Sequence, residues 1–397
     1  TGWMVGDIKG AWLSDTVAGV VTGADLVVNG NFATDTDWAK GTGWTIGSGV
    51  ATKTGTDNTS IYQAVPITTV VGSRYIVTFD ITSTGTGAGL RVNYNGLYSA
   101  YYNTVGAHSY EFTAAGVPLY FNGSGFNTGS LGNVSVRLAV PDRSVNANGL
   151  ALYGSLTKAA VATGAELMGY NGFSATDYLE QPYNSDLDFG TGDFSVMGWV
   201  KNSSSGNKMM VAHNNDGTDT PRWRITAGID SPILFGVNSA TIGSTGVFSS
   251  GAWQFFAFKR DSGVLSSFVD GDLKQTVALT TNLTNTLAKL KVGHFNAGAN
   301  PFAGSLALLR ISATAPTAAQ IAKIYEDEKH LFQENAACTL SGTSSAVTAL
   351  AHDPITGILY AGTSAGRSDF AGLRRVNNTT TAVGVSISAV DGLIVED

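Results

Sequence analysis

Arg91, Asn93, Tyr94, Tyr98, Tyr101 and Tyr102 bring flat aromatic faces and polar groups into one short stretch. Aromatic rings stack on the C–H faces of pyranoses, while Asn, Asp and Arg take the hydroxyls. This stretch, with Trp38 and Trp44 as a loop platform, is therefore a candidate glycan site. The other use for the same residues is packing. In Leu90-Arg-Val-Asn-Tyr94 a strand would place Tyr94 on the face of Val92, and Arg91 with Asn93 on the other.

Two further stretches are rich in oxygen ligands. Asn214, Asp216 and Asp219 lie in His213-Asn-Asn-Asp-Gly-Thr-Asp219, and Asp142, Asn146 and Asn148 lie in Asp142-Arg-Ser-Val-Asn-Ala-Asn-Gly149. Hard cations such as Ca2+ take several such oxygens, so Ca2+ is the one candidate cofactor. Neither spacing is that of an EF-hand, and solvated Asx turns use the same residues. Catalytic patterns are poorly supplied. Gly362-Thr-Ser-Ala-Gly366 has the letters of a nucleophile elbow, but no helix pattern or histidine follows it. The close acidic pairs are Asp186/Asp188 and Asp270/Asp272, the second in a hairpin turn. His108, His213, His294, His330 and His352 are scattered without ligand spacing. The chain is read as a non-enzyme.

Such residues need elements to hold them, and the composition favours strands. Charged residues are 13% of the 397, hydrophobic residues 43%, and 49 residues are glycine. Thr, Val and the aromatics suit half-buried sheets, and Gly, Asn, Asp and Ser suit the turns between them. One cysteine excludes an internal disulfide framework and a Cys-based zinc site. With 23 Lys+Arg against 30 Asp+Glu, no basic stripe for nucleic acid is evident. No apolar run approaches the roughly 18 residues of a membrane span, and no signal-peptide pattern opens the chain. Starting at Thr1 suggests a processed or excerpted piece of something longer.

Alternation predicts strands at Arg74–Ile81, Leu90–Tyr94 and Val134–Leu138, then from Tyr178, at Asp193–Val200, Lys208–Ala212, Arg222–Thr226, Ile233–Val237, Trp253–Lys259, Leu265–Val269, Leu290–Val292 and Leu306–Ile311. Trp199 and Trp253 are read as core. Asp270-Gly271 predicts a tight hairpin turn. Thr317-Ala-Ala-Gln320 is a capping box, which places one short helix near 317–333. Beyond it, Ala346–Ala351, Ile358–Ala361, Arg374–Val376 and Ala382–Ile387 read as a closing β region like one propeller blade, which cannot bury both its faces alone. The fold class is all-β: two β-sandwich (jelly-roll) modules plus a small C-terminal β region. The expected divisions are 1–24, 25–140, 141–335 and 336–397.

The segment Asp25–Val140 resembles the carbohydrate-binding-module jelly rolls appended to glycanases and phage proteins. The resemblance rests on Leu26-Val-Val-Asn-Gly-Asn-Phe32, Trp38, Gly43-Trp44, Ile61-Tyr-Gln-Ala-Val65, Tyr75–Asp80 and Gly132-Asn-Val-Ser-Val136. The positions that would bring carboxylates to that family's calcium look like Ala33 and Gly132 here. The segment Pro141–Asn335 resembles the laminin G-like or concanavalin A-like lectin/glucanase sandwich. Its carriers are the loop Asp142–Gly149, Leu187–Val200, Trp253–Arg260, Phe268-Val-Asp-Gly271 and Phe302–Leu306 with the capped helix. Trp3–Val21 could supply that sandwich's first strand, making the jelly roll an insertion.

The combination resembles bacteriophage tail or virion appendage proteins. It implies a virion protein on the extracellular face of the particle, assembled with copies of itself (a homotrimer is expected) and with other virion proteins, and binding a host-surface polysaccharide. A purely architectural tail or capsid part, or the non-catalytic part of a polysaccharide depolymerase, are the alternatives. No nucleic acid and no membrane insertion are expected.

Overall fold

A computed structural model describes residues 6–397 except 86, 126–127, 205, 216–220, 229–230, 248–250 and 296–299. Among the described residues the regular secondary structure is almost entirely strand, with one short helix. The first sandwich packs two five-stranded antiparallel sheets. One runs Trp44–Gly47, Val50–Thr54, Thr128–Val140, Arg74–Thr84, Gly106–Thr113. The other runs Trp38–Lys40, Ser60–Gln63, Leu119–Gly125, Gly89–Tyr94, Leu97–Tyr98. Alternate residues point inward, as the strand period requires, so Ile61, Val77, Phe79, Val92, Phe121 and Val136 fill its core.

The second sandwich is larger. In one sheet Gly304–Ser312 pairs with Phe194–Asn202, which is followed by Gln254–Asp261, Val264–Val269 and Asp272–Ala278. The facing sheet runs from Leu150–Ala160 through Tyr178–Gln181, Lys289–Val292, Lys208–Asn214, Trp223–Ala227 and Pro232–Val237 to Ala240–Val247. Between them lies a core that includes Trp12, Leu156, Phe194, Trp223, Phe235, Phe258 and Ile311. The Trp3–Val21 stretch holds two strands. Ile8–Trp12 pairs with Gly304–Ser312, and Gly19–Gly23 pairs with Leu150–Ala160. Both precede the first sandwich in sequence yet hydrogen-bond within the second.

Asp270 and Gly271 turn the hairpin between Val264–Val269 and Asp272–Ala278 with φ of 50° and 84°, the left-handed pair that such a turn needs. The capping box is formed: the Gln320 N–H donates to the Thr317 hydroxyl, and the Thr317 N–H donates to the Gln320 side chain. The helix Ala318–Glu328 is extended by one 3-10 turn, Lys329–Phe332. It buries Ile321 and Ile324 on the outer side of the second sandwich, against Met197, Phe255, Ala257 and Phe268.

The two sandwiches share strands and contacts. Thr128–Val140 runs on to pair with Leu150–Ala160. Arg137 donates to the Gly23 carbonyl at 2.7 Å. Glu111 links Arg74 (2.5 Å) to the Gly149 N–H (2.7 Å).

Residues 347–378 form a four-stranded sheet: Val347–His352, Ile358–Thr363, Gly366–Ala371, Arg374–Asn378. The Gly362–Gly366 letters are a hairpin turn between its middle strands. The strand expected at Ala382–Ile387 instead occupies Ile387–Val390 and pairs with Leu393–Glu396. Ile387 of this hairpin and Val383, which precedes it, cover Ala349 and Tyr360.

Glu166 ties this region to the second sandwich. Its carboxylate accepts from the N–H groups of Cys338 and Thr339 (both 2.8 Å), from the Thr339 hydroxyl (2.6 Å) and from Arg375 (3.2 Å). Burial opposes its charge, but these donors prevail and hold the carboxyl below the usual carboxylate range. Glu166→Ala is expected to lower stability by about 2 kcal/mol, as lost charge-assisted hydrogen bonds do. Cleavage near residues 338–345 should then outpace cleavage elsewhere in limited proteolysis. Unchanged cleavage and melting would refute the tether.

Candidate functional site

The outer face of the Trp38–Tyr98 sheet is where the expected glycan residues are sorted. Three of them belong to the core, which corrects their assignment as sugar platforms. Trp38 is buried against Phe32 and Phe121, and its indole N–H donates to the Asn29 carbonyl. Trp44 is buried with its indole N–H toward the Thr59 carbonyl. Tyr94 packs on Phe112, and its hydroxyl accepts from the Ala115 N–H at 2.8 Å. Its face is that of Val92. Tyr102 is half-buried edge-on to Phe79 and donates to the Ser109 carbonyl; burial raises its pKa.

The remaining four stay outside. Arg91 lies over the rings of Tyr98 and Tyr101, 3.8 and 5.0 Å from their centroids. Tyr98 is 48% and Tyr101 42% exposed. Asn93 stands opposite Tyr98 across the strand pair.

Two tyrosines that the sequence reading passed over complete the face. Tyr120 is directly opposite Asn93 on one side and Tyr62 on the other, with the Tyr62 and Tyr120 rings 4.8 Å apart. Directly opposed residues share a face. One row therefore crosses four strands in the order Tyr62, Tyr120, Asn93, Tyr98. With strands about 4.8 Å apart, it spans roughly 14 Å. The signal was present in the sequence: Tyr62 follows the core Ile61, and Tyr120 precedes the core Phe121. A second row carries Ser60, Asn122 and Arg91 in register. The Asn122 amide donates to the Ser60 hydroxyl at 3.3 Å.

The oxygen-rich loops are arranged differently from their expected use. Asp142 accepts from the N–H groups of Ala11, Ser144 and Asn148 and from the Ser144 hydroxyl. Asn146 donates to the Ile8 carbonyl, and the Asn148 carbonyl accepts from Trp12 and Gln181. The Asp142 carboxylate and the Asn146 amide are thus engaged in holding the strand Ile8–Trp12 and the loop itself, and Asn148 takes part through its backbone. Asn214 is fully buried and donates to the Asn215 carbonyl. Asp216 and Asp219 lie outside the described residues. Among the described residues, no group of three His, Cys, Asp or Glu is placed to hold a metal.

Residues 173–322, which supply most strands of the second sandwich, match the family described as the concanavalin A-like lectin/glucanases superfamily. That stretch is similar to concanavalin A-like, laminin G-like domains, and its paired sheets are consistent with that fold. Solved structures similar to the chain are distant in sequence. Domain 4 of an extracellular arabinanase from Geobacillus stearothermophilus, in complex with arabinotriose, is 19% identical with a TM-score of 0.39, over 47% of this chain and 92% of that one. CBM40 of the Ruminococcus gnavus IT-sialidase, bound to alpha2,3 sialyllactose, is 11% identical with a TM-score of 0.33, over 40% of this chain and 96% of that one. The receptor binding domain of botulinum neurotoxin C/D mosaic serotype is 14% identical with a TM-score of 0.38, over 60% and 62%. The search of curated proteins finds no match. The tyrosine row lies outside the matched segment, on the sandwich that precedes the laminin G-like domain.

Proposed function

We propose that the chain is a non-enzymatic bacteriophage virion appendage protein that binds a host-surface polysaccharide through the row Tyr62–Tyr120–Asn93–Tyr98. The observation that carries this reading is the row itself: aromatic faces and an amide aligned across four strands, beside an arginine held over two more rings. Tyrosine rings would stack on sugar C–H faces, and Asn93 and Arg91 would take hydroxyls. Each site would be weak, and repetition in a homo-oligomer, a trimer in our reading, would multiply the affinity by avidity. Exposed apolar residues in the closing region, among them Leu350, Val385, Val390, Leu393 and Val395, support a surface covered by sister subunits or other virion proteins. The low charge leaves a surface rich in hydroxyls and amides, suited to sugars. It also supplies little acid–base chemistry, in keeping with a non-enzyme on the outside of a particle.

Host polysaccharides are the test ligands. Tyr120→Ala and Tyr98→Ala are each expected to weaken binding about tenfold, equal to about 1.4 kcal/mol, with unchanged melting. No binding to any host glycan, with assembly intact by light scattering, would leave the architectural reading in its place. Shortened polysaccharide chains after incubation would point to a depolymerase.

A further inference from the structure

The first and second sandwiches enclose a cleft of about 530 Å3, within the roughly 300–1,000 Å3 of small-ligand sites. Its walls come from both. The first sandwich supplies Asp80, Val105 and His108, and the second supplies Glu180, Tyr183 and Leu287. We propose that this cleft is a second glycan subsite that takes a neutral di- or trisaccharide, continuing the tyrosine row around the edge of the first sandwich. The proposal rests on the glycan-binding reading above and extends it to a separate place.

Four features argue for it. Val105 and Leu287 face the cleft from opposite sandwiches and are 64% and 63% exposed. Apolar side chains set at the mouth of a polar cleft suit the C–H faces of a sugar. Next, the Asp80 carboxylate accepts one hydrogen bond, from the Asn133 amide at 2.7 Å, and keeps acceptor capacity for a hydroxyl. His108 binds the Thr104 carbonyl through Nε2 at 2.8 Å. With the proton on Nε2, Nδ1 is left as an acceptor.

The third feature is charge. Glu180, 4% exposed, is neutralised by Lys289 at 2.9 Å and Lys291 at 3.7 Å. Asp80 has no ion pair among the described residues. With Asp80, Glu180, Lys289 and Lys291 counted together the cleft is formally neutral, and Asp80, its carboxylate without an ion pair, disfavours a uronic or sialic acid set beside it and favours neutral sugars. The fourth is continuity. Tyr101, beside the row, and Thr104, on the cleft's rim, are three residues apart in the chain, which keeps their backbones within about 11 Å of each other.

The test uses the full chain with maltotriose, cellotriose and arabinotriose as neutral probes and trigalacturonate as the acidic one, followed by saturation-transfer NMR and titration calorimetry. At least one neutral trisaccharide should bind, and trigalacturonate should bind about tenfold more weakly. Leu287→Trp, which plugs the mouth from an exposed position, should weaken the neutral probe at least tenfold. Asp80→Asn should narrow the gap between neutral and acidic probes. Tyr120→Ala should leave intact the part of trisaccharide binding that Leu287→Trp abolishes. If no trisaccharide binds, or if Leu287→Trp and Asp80→Asn both leave binding untouched, the subsite is overturned. Host polysaccharide separates the two readings. Loss of its binding in Tyr120→Ala with no effect of the plug would sink the cleft alone. Trisaccharide binding that depends on the plug, with polysaccharide indifferent to Tyr120, would sink the tyrosine row instead.

Discussion

Replacing Glu328 by alanine is expected to cost about 3–5 kcal/mol of folding stability, the range seen when one partner of a buried ion pair is removed. Glu328 ends the capped helix and is completely buried. A carboxylate there is unfavourable twice over, since the helix dipole presents negative charge at its C-terminus and burial pushes the carboxyl pKa up. Two partners offset this. Arg310, itself nearly inaccessible, approaches to 2.5 Å from the central strand Gly304–Ser312, and the Trp199 indole N–H donates at 2.7 Å from the neighbouring strand. Glu328 thus clamps the helix to two adjacent strands, while Trp199 stacks on Phe332 at 4.1 Å. Alanine would strip the guanidinium of its carboxylate and leave the indole N–H unmet. The double variant Glu328→Ala with Arg310→Met should recover part of the loss, because an apolar pair no longer strands a charge. Urea unfolding of the four-member cycle measures this. A single-variant loss under about 1 kcal/mol, or simple additivity, would show that the pair is not coupled.

The second large effect is a pH dependence. His213 is completely buried and lies against the Trp223 ring, with centroids 5.8 Å apart. Neither ring nitrogen has a hydrogen-bond partner among the described residues. Burial lowers its pKa to about 4 from 6.5, with Asp188 opposing the shift. Below pH 6.5 the unfolded chain takes up a proton that the folded chain refuses until about pH 4. The imidazole's contribution is therefore complete above pH 6.5 and is lost as pH falls from 6.5 to 4. Over that window the loss is roughly 3 kcal/mol. Other carboxylates titrate in the same range, so the quantity to measure is a difference. The urea midpoint of the wild type should fall more steeply between pH 6.5 and 4 than that of His213→Gln. Parallel curves would mean that His213 titrates normally.

Much of the fold was legible. Period-two alternation marked most strands of the second sandwich but three of the ten in the first, the Thr317–Gln320 letters marked the helix, and Asp270-Gly271 marked its turn, because these signals are local and act within a few residues of chain. Strands in the closing region were legible less well, since Val383 and Val385 alternate like a strand but Val383 is used to cover Ala349 and Tyr360.

The candidate site divides along the same line. By itself, the sequence determined that aromatic and amide residues would alternate along the strands, and that Tyr94 and Arg91 would face opposite ways. Tertiary structure alone decided which way was out. Alternation assigns residues to two faces, and only the packing of one sheet on another makes one of them the core. That packing took Trp38, Trp44 and Tyr94 inside and left Tyr62 and Tyr120 on the surface. It also aligned Tyr62 with Asn93 and Tyr98 through strands far apart in the chain, a register set by cross-strand hydrogen bonds. Asp142 shows the same dependence, because the strand Ile8–Trp12, more than a hundred residues earlier, draws its loop into backbone contacts. The cleft required two sandwiches to meet, so no stretch of sequence could contain it.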